Sequence, residues 1–260
     1  MRRTVPNQSF QSVWRSPPVG LLLGATEIHV WLIEAAETAA DNLAAYAALL
    51  SAAEQARADR FKFAKDRLLF TVAHAALRSI LAQYTETLPR NLQFDLGGHG
   101  KPKLGAPQAE SRVAFNLSHS HGVALLAVAR FREVGIDVEF VNADFAFDEV
   151  AERFFTAGEV TALRALPAHL RRQAFYKCWT SKEAFLKAKG TGLSGDLDEV
   201  NIGLAATGEQ VRIDADVPGW SLIELNVVAD YEGALVYEGE PATIQLYRWE
   251  SSLLWCFSES

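Results

Sequence analysis

Residues 122–141 read GVALLAVARFREVGIDVEFV, and the hydrophobic pattern of this stretch indicates the fold class. From Gly122 to Ala129 the run is almost continuously apolar, which is typical of a strand buried on both faces. Arg130–Val134 is rich in charge and predicts a turn. Gly135–Val141 then alternates apolar and polar residues, so a second strand is expected. Two strands joined by a short turn predict a β-sheet in the middle of the chain.

The second strand carries two carboxylates that we expect on one side of the sheet. Side chains two residues apart in a strand share a face, so Ile136 and Val138 would enter the core. Asp137 and Glu139 would then share the opposite face. Adjacent carboxylates repel each other unless a cation or proton intervenes, and Mg²⁺ accepts carboxylate and phosphate oxygens together. A half-exposed strand with a polar outer face explains these residues equally well when they are taken alone.

Helical and strand-like segments alternate on both sides of this stretch. Apolar residues at helical spacing predict one long helix from Asp66 to Tyr84 and another from about Arg171 to Lys189, ended by Gly190. Other segments alternate as strands do, and those after residue 200 are expected to be antiparallel. The predicted strands are Glu27–Ile33, Val211–Ile213, Ser221–Val228 and Ala242–Arg248. This mixture predicts the α+β class.

The chain divides most naturally near Asn142–Asp148. We expect an N-terminal α+β half at 26–141 and a C-terminal α+β half at 142–260. Residues 1 to about 25 are predicted to form a poorly ordered leader, although ordinary chain termini often have the same character.

Composition excludes several classes of function. The 260 residues carry a formal net charge of −7, which argues against broad electrostatic binding of nucleic acid or anionic membrane. The two cysteines, Cys178 and Cys256, form no CxxC pair, so a reducing, cytoplasmic compartment is expected. No apolar stretch approaches the length that spans a bilayer.

Two further motifs contain residues suited to phosphate chemistry. In the segment Trp179–Lys187, Glu183 and Lys187 lie four apart and are therefore neighbours on a helix, as in an ordinary surface ion pair. In the segment 116–121, NLSHSH, hydroxyls and imidazoles offer donors to a phosphate, although a polar turn explains them as well. Zinc binding is disfavoured because no cysteine pair or further histidine cluster completes a ligand set.

Taken together, and in this order, the motifs resemble those of the Sfp-type 4'-phosphopantetheinyl transferases. The pair GIDVE at 135–139 and WTSKEA at 179–184 is the most specific part of the resemblance. The other matching elements are Arg60-Phe61, Asp66-Arg67, Arg78, Gly100-Lys101-Pro102, FNLSHS at 115–120, Arg153-Phe154-Phe155 with Glu159, and GTGL at 190–193. They extend from about residue 27 to 195.

The resemblance implies a monomer of two similar halves related by a pseudo-two-fold axis, with the active site in the cleft between them. Coenzyme A and Mg²⁺ would bind there, and the phosphopantetheine arm would pass to a serine of an apo acyl or peptidyl carrier protein. Residue by residue, the metal ligands would be Asp137, Glu139 and Glu183, the 3'-phosphate contacts Ser118 and His119, the nucleotide contacts Arg57 and Lys101, and the phosphate-binding cations Lys187 and Lys182. Glu183, directly or through a water, would accept the proton of the serine.

Two other functions remain open at this point. A magnesium-dependent hydrolase of coenzyme A or a nucleotide would share the three carboxylates but need no carrier protein. A non-catalytic module that binds carrier proteins would need no metal, and the intact set Asp137, Glu139, Glu183 and Lys187 argues against it.

Overall fold

The computed structural model describes residues 13–35, 42–192, 197, 200–208, 210–215 and 217–251. The described residues form an α+β fold of helices and short sheets, as predicted. The helices are α1 (Leu43–Leu49), α2 (Ala52–Ala58), α3 (Ala64–Thr85), α4 (Asp148–Phe154), α5 (Ala157–Ala165) and α6 (Ala168–Lys189). The strands are β1 (Glu27–Glu34), β2 (Phe94–Leu96), β3 (Pro102–Leu104), β4 (Val113–Ser120), β5 (Val123–Arg130), β6 (Val134–Phe140), β7 (Ile202–Thr207), β8 (Gln210–Ala215), β9 (Trp220–Asn226), β10 (Tyr231–Glu238) and β11 (Thr243–Arg248).

The strands form two main sheets, each packed against one long helix. The first sheet has the order β11-β1-β5-β4 and the second has the order β6-β10-β9, while β2-β3 and β7-β8 are separate hairpins. Helix α3 packs against the first sheet, and α6 packs against β6 and β10 of the second. None of the described helices is both long and apolar enough to cross a membrane.

The alternation of β5 shows how these layers stack. Leu125 and Ala127 belong to an apolar cluster shared with the second sheet, whereas Leu126 and Val128 belong to a cluster shared with α3. Because neighbouring side chains of a strand point to opposite faces, one apolar strand supplies two cores. The resulting order is α3, first sheet, second sheet, α6, and this confirms that β5 is buried on both faces.

The predicted helices and caps are close to those observed. Ser51 accepts from the Glu54 N–H and the Glu54 side chain accepts from the Ser51 N–H, which together form a capping box at the start of α2. Gly190 ends α6 in the left-handed conformation with φ of 71°. The fully buried Cys178 packs in the core around α6, and Cys256 lies outside the described residues.

One prediction about strand direction needs correction. β11 is parallel to β1, not antiparallel, and this pairing brings the C-terminal part of the chain into the first sheet. β6 precedes the predicted boundary but pairs with β10 of the second sheet, so both sheets draw strands across that boundary. The reason is that strand pairing depends on contacts far apart in the chain, which a local pattern does not record.

Residues 13–25 are not a poorly ordered leader. The Arg15 N–H donates to the Leu246 carbonyl at 3.1 Å, and the Trp14 indole donates to the Val227 carbonyl at 3.0 Å. Leu21 and Leu23 are buried in the core beneath the first sheet. The segment is held by these two hydrogen bonds and by the burial of Leu21 and Leu23, whereas Val19 and Leu22 remain exposed. Residues 1–12 lie outside the described part of the chain.

Candidate active site

A pocket of about 410 Å³ opens where the two sheets meet α6. Its lining residues come from β4, β6, α4 and α6, and they are Ser118, His119, Asp137, Glu139, Phe154, Trp179, Glu183 and Lys187. All three predicted metal ligands therefore face one space, together with Lys187 and both predicted 3'-phosphate contacts. These groups lie up to 69 positions apart in the chain, and the fold brings them together.

Strand β6 presents its carboxylates as the alternation predicts. Ile136 and Val138 enter the core between the sheets, and Asp137 and Glu139 lie on the face toward α6. Asp137 is buried and Glu139 is half-buried. On the same face Gly135 touches α6 so closely that an added Cβ would lie 2.0 Å from the Ala184 carbonyl oxygen. Glycine is therefore required here for α6 to reach the carboxylates.

Helix α6 contributes a cation and a third carboxylate. Lys187 Nζ donates to Asp137 Oδ1 at 2.6 Å and to Ser118 Oγ at 2.9 Å. Ser118 Oγ also donates to Asp137 Oδ1 at 2.7 Å. Glu183 lies one helical turn before Lys187, so both side chains face the pocket. The ammonium group thus partly neutralises the negative charge of the three carboxylates in the site.

The carboxylates perturb one another's ionisation. Burial, followed by the charge of Asp137, raises the pKa of Glu139 above its usual value. Burial, again followed by Asp137, raises the pKa of Glu183 to about 7, although Lys187 opposes the shift. Groups that share a buried site and repel each other are typical of an active site that a cation or proton completes.

Two carboxylate oxygens in the pocket are available to a cation. Asp137 Oδ2 and Glu183 Oε1 are buried and have no hydrogen-bond partner in the described part of the chain. A buried, unpartnered carboxylate oxygen is costly, and a hard divalent cation would remove that cost. No set of three His, Cys, Asp or Glu among the described residues is already arranged as a metal centre. The donor set fits a divalent cation in its chemistry, but the side chains are not preassembled around one.

His119 lies on the side of the pocket that is nearest to the basic residues. Burial of its ring by the surrounding protein, followed by the charges of His74, Lys187 and Arg57, lowers the pKa of His119, although the residue remains partly exposed to solvent. Arg57 is exposed and its guanidinium lies 5.3 Å from the centre of the Phe70 ring. The structure thus places Arg57 close enough to act on His119, although it does not line the pocket.

Lys182 does not face the pocket, and the prediction that it binds phosphate is wrong. Its side chain is fully buried, and Nζ lies 2.9 Å from Glu159 Oε1. The same ammonium donates to the carbonyls of Leu197 at 2.8 Å and Val200 at 2.7 Å. Successive helix residues are rotated by about 100°, so Lys182 points away from the pocket that Glu183 enters.

Lys101 is held by the protein itself. Its Nζ donates to Glu133 Oε2 at 2.6 Å, and to the Val134 and Ala188 carbonyls at 3.1 Å each. These bonds tie the loop before β3 to β6 and α6. Lys101 is not among the lining residues of the pocket, and its contact with a nucleotide stays a prediction.

Sequence reasoning missed three groups at the site. Phe154 and Trp179 form an aromatic wall of the pocket, with ring centres 5.6 Å apart in an edge-on arrangement. The helical spacing of Trp179 predicts a buried side chain, but this residue is only half-buried. His74 was not predicted at all; its Nδ1 lies 3.1 Å from Glu54 Oε1, and its charge acts on His119. A helical histidine facing apolar neighbours gives no sequence signal of such a position.

Known proteins resemble this chain along most of its length. The family model for the 4'-phosphopantetheinyl transferase superfamily matches residues 133–236, and the model for the N-terminal part of 4'-phosphopantetheinyl transferases matches residues 37–130. The 4'-phosphopantetheinyl transferase HetI of Nostoc sp. is 41% identical over 83% of this chain and 90% of that protein. The 4'-phosphopantetheinyl transferase Sfp of Bacillus subtilis is 28% identical over 65% of this chain and 72% of that protein.

Proposed function

This chain belongs to the Sfp-type 4'-phosphopantetheinyl transferase family, and we propose that it moves phosphopantetheine from coenzyme A to a serine of an apo acyl or peptidyl carrier protein with the help of Mg²⁺. The observation that supports the proposal is the convergence of Asp137, Glu139, Glu183 and Lys187 in one pocket. Three acidic groups and one cation from two separate motifs suit a reaction at a pyrophosphate.

We assign the three carboxylates to Mg²⁺. Asp137 and Glu183 each offer a buried oxygen without a partner, and Glu139 lies beside them on β6. When bound, Mg²⁺ would neutralise the pyrophosphate oxygens and stabilise the leaving group. The carboxylates would hold this charge at the junction of the two sheets.

Lys187 and Glu183 are the proposed catalytic residues. The Lys187 ammonium lies beside Ser118 and Asp137 and would bind an oxygen of the phosphorus that the carrier serine attacks. The phosphorus–oxygen bond to the serine forms as the bond to 3',5'-ADP breaks. Glu183, directly or through a water, would accept the serine proton. In this arrangement the protein contributes mainly positioning and charge.

The other walls of the pocket suit the two ends of coenzyme A. Ser118 and His119 would contact the 3'-phosphate, and Arg57 would add positive charge near the nucleotide. The aromatic wall of Phe154 and Trp179 would lie along the less polar pantetheine arm. We further propose that the protein acts as a monomer in the cytoplasm, where its carrier and coenzyme A are found.

The mass of an apo carrier protein after incubation tests this function. With this protein, coenzyme A and Mg²⁺, we expect the carrier to gain one phosphopantetheine, and we expect EDTA to prevent the gain. Glu183→Gln should reduce the rate at least 100-fold, because removing a group that both binds the cation and accepts a proton lowers transition-state stabilisation.

Glu152→Gln is the matched control, since Glu152 is exposed on α4 and forms a surface ion pair with Arg164. It should transfer at the rate of the unmodified protein. Release of 3',5'-ADP without any mass gain on several carriers would contradict the proposal in favour of a hydrolase. Full activity of Glu183→Gln would show that Glu183 neither binds the cation nor accepts the proton.

A further inference from the structure

Side chains of β4 join the two sheets beside the pocket. β4 and β6 belong to different sheets, and alternate residues of β4 reach across to β6. Asn116 Oδ1 accepts from the Ile136 N–H at 2.8 Å, and Ser118 Oγ donates to Asp137 at 2.7 Å. Ser120 Oγ donates to Glu139 Oε2 at 2.7 Å. The period of two follows from the pleat of β4, which turns these three side chains to the same side.

The Ser120 hydroxyl has a fixed direction. It accepts a hydrogen bond from the Phe140 N–H at 3.2 Å while it donates to Glu139. His121 Nδ1 also lies 3.4 Å from this oxygen. The carboxylate is the closer and the charged acceptor, so the hydroxyl proton is directed to Glu139. Ser118 differs in this respect, since it shares its partner Asp137 with the Lys187 ammonium.

A glutamate needs such a restraint if it is to bind a cation. Its long side chain has several rotamers, and fixing them costs conformational free energy that weakens binding. With Oε2 bonded to Ser120, Oε1 of Glu139 remains for a cation. Groups that orient metal ligands in this way commonly contribute 10- to 100-fold in metal affinity or activity.

We propose that Ser120 is a positioning residue that orients the Glu139 carboxylate for the divalent cation. The inference rests on the proposed function, because it presupposes that Glu139 is a metal ligand. Ser120 itself is not among the residues that line the pocket. It acts through Glu139 and also links β4 to β6 next to the site.

The test compares three variants of the full-length protein. Ser120→Ala removes the hydroxyl, Ser120→Thr retains it, and Ser111→Ala is a control in the turn that precedes β4. Ser111 Oγ likewise donates one bond, to the Gln108 carbonyl at 2.7 Å, and accepts one, from the Val113 N–H at 3.3 Å. Each variant is assayed for the Mg²⁺ concentration that gives half-maximal transfer, for Mg²⁺ binding by calorimetry with coenzyme A present, and for unfolding in urea without Mg²⁺.

We expect Ser120→Ala to raise both the Mg²⁺ requirement and the Mg²⁺ dissociation constant about 10-fold. Its stability without Mg²⁺ should fall no more than that of Ser111→Ala, and Ser120→Thr should restore Mg²⁺ binding. Unchanged Mg²⁺ binding in Ser120→Ala, or an equal change in Ser111→Ala, would overturn the inference alone. Transfer by the unmodified protein that does not depend on Mg²⁺ would overturn both the metal assignment and this inference.

Discussion

Lys182 and Glu183 are adjacent on α6, yet their side chains have different environments. Glu183 enters the pocket, whereas Lys182 is fully buried with Glu159 on the other side of the helix. Glu159 also caps α5 by accepting from the Thr156 N–H at 2.7 Å, and it accepts from the Ile202 N–H at 2.7 Å. The Lys182–Glu159 pair therefore joins α5, α6 and β7, and it fixes the rotation of the helix that carries Glu183.

Breaking this buried pair should cost stability without changing substrate binding. Lys182→Met leaves the Glu159 charge buried without its cation, so we expect the free energy of unfolding to fall by about 3–5 kcal/mol. Urea denaturation measures the loss. The KM for coenzyme A of the folded variant should remain that of the unmodified protein, because Lys182 does not reach the pocket.

The double variant Glu159→Gln/Lys182→Met should lose less than the sum of the two single losses, since it leaves no unpaired charge. Lys65→Met, at an exposed position of α3, should change the free energy of unfolding by no more than about 0.5 kcal/mol. A raised KM for coenzyme A in Lys182→Met would restore the ligand-binding role that the structure argues against.

The packing of α6 on β6 determines how closely Glu183 of α6 approaches Asp137 and Glu139 of β6. Gly135 lacks a Cβ, and Ala184 and Ala188 face it with small side chains. A Cβ at position 135 would lie 2.0 Å from the Ala184 carbonyl oxygen and 2.2 Å from the Ala188 nitrogen. Both are backbone atoms, so the helix as a whole would have to move away. The glycine of the GIDVE motif is thus explained by helix–strand distance.

Gly135→Ala should separate α6 from β6 and impair the site. We expect a loss of about 1–3 kcal/mol in the free energy of unfolding, since backbone atoms must shift to relieve the overlap. The kcat for transfer should fall by about 100-fold, because a displacement of about 1 Å at catalytic groups has effects of this size. Urea denaturation and the carrier mass assay measure the two effects.

Gly203→Ala is the control for this prediction. Gly203 is an exposed strand glycine of β7, and a Cβ there would meet the Asp214 carbonyl oxygen at 3.4 Å, an ordinary contact. This variant should keep the stability and the kcat of the unmodified protein. Gly135→Ala with normal activity would show that transfer does not require this close approach of α6 to β6.

At the scale of the whole molecule, β1 connects early and late parts of the chain in one sheet. β1 pairs with β5 on one side and with β11, more than 200 residues later, on the other. His29 of β1 is buried at this junction, with Nδ1 2.7 Å from the Tyr84 hydroxyl of α3 and its ring 5.1 Å from that of Tyr247 of β11. Burial lowers the pKa of His29 to about 4, although Glu27 opposes the shift.

This histidine should make the protein less stable in acid. The pKa of His29 is about 4 in the folded state, whereas an exposed histidine of the unfolded chain has a pKa of 6.5. Between these values the unfolded chain binds the proton and the folded protein does not, so stability is full above pH 6.5 and falls as the pH decreases toward 4. From pH 7 to pH 5 the loss due to His29 is about 2 kcal/mol.

Urea denaturation at pH 7 and pH 5, compared between the unmodified protein and His29→Gln, isolates this contribution. Glutamine does not titrate and can still bond Tyr84, so the variant should lose about 2 kcal/mol less stability over the same pH range. Equal losses in the two proteins would show that His29 is protonated without cost in the folded state.

The elements and the acidic residues of the site could be predicted from the chain alone. The bounds of α3 and α6, the buried β5, and the shared face of Asp137 and Glu139 followed from the repeats of helix and strand, which are local properties of the chain. The motif residues at 135–139 and 179–187 could be recognised together because their order and separation are themselves written in the sequence. The pseudo-two-fold relation of the halves stays a prediction.

The partner that each element meets could be seen only in the folded protein. The parallel pairing of β11 with β1, the burial of residues 13–25, the direction of Lys182 and the bond from Ser120 to Glu139 all depend on groups distant in the chain. A local pattern fixes which face of an element is apolar, but it does not fix which surface covers that face. That choice is made by packing all layers at once, because each apolar surface competes for the same partners.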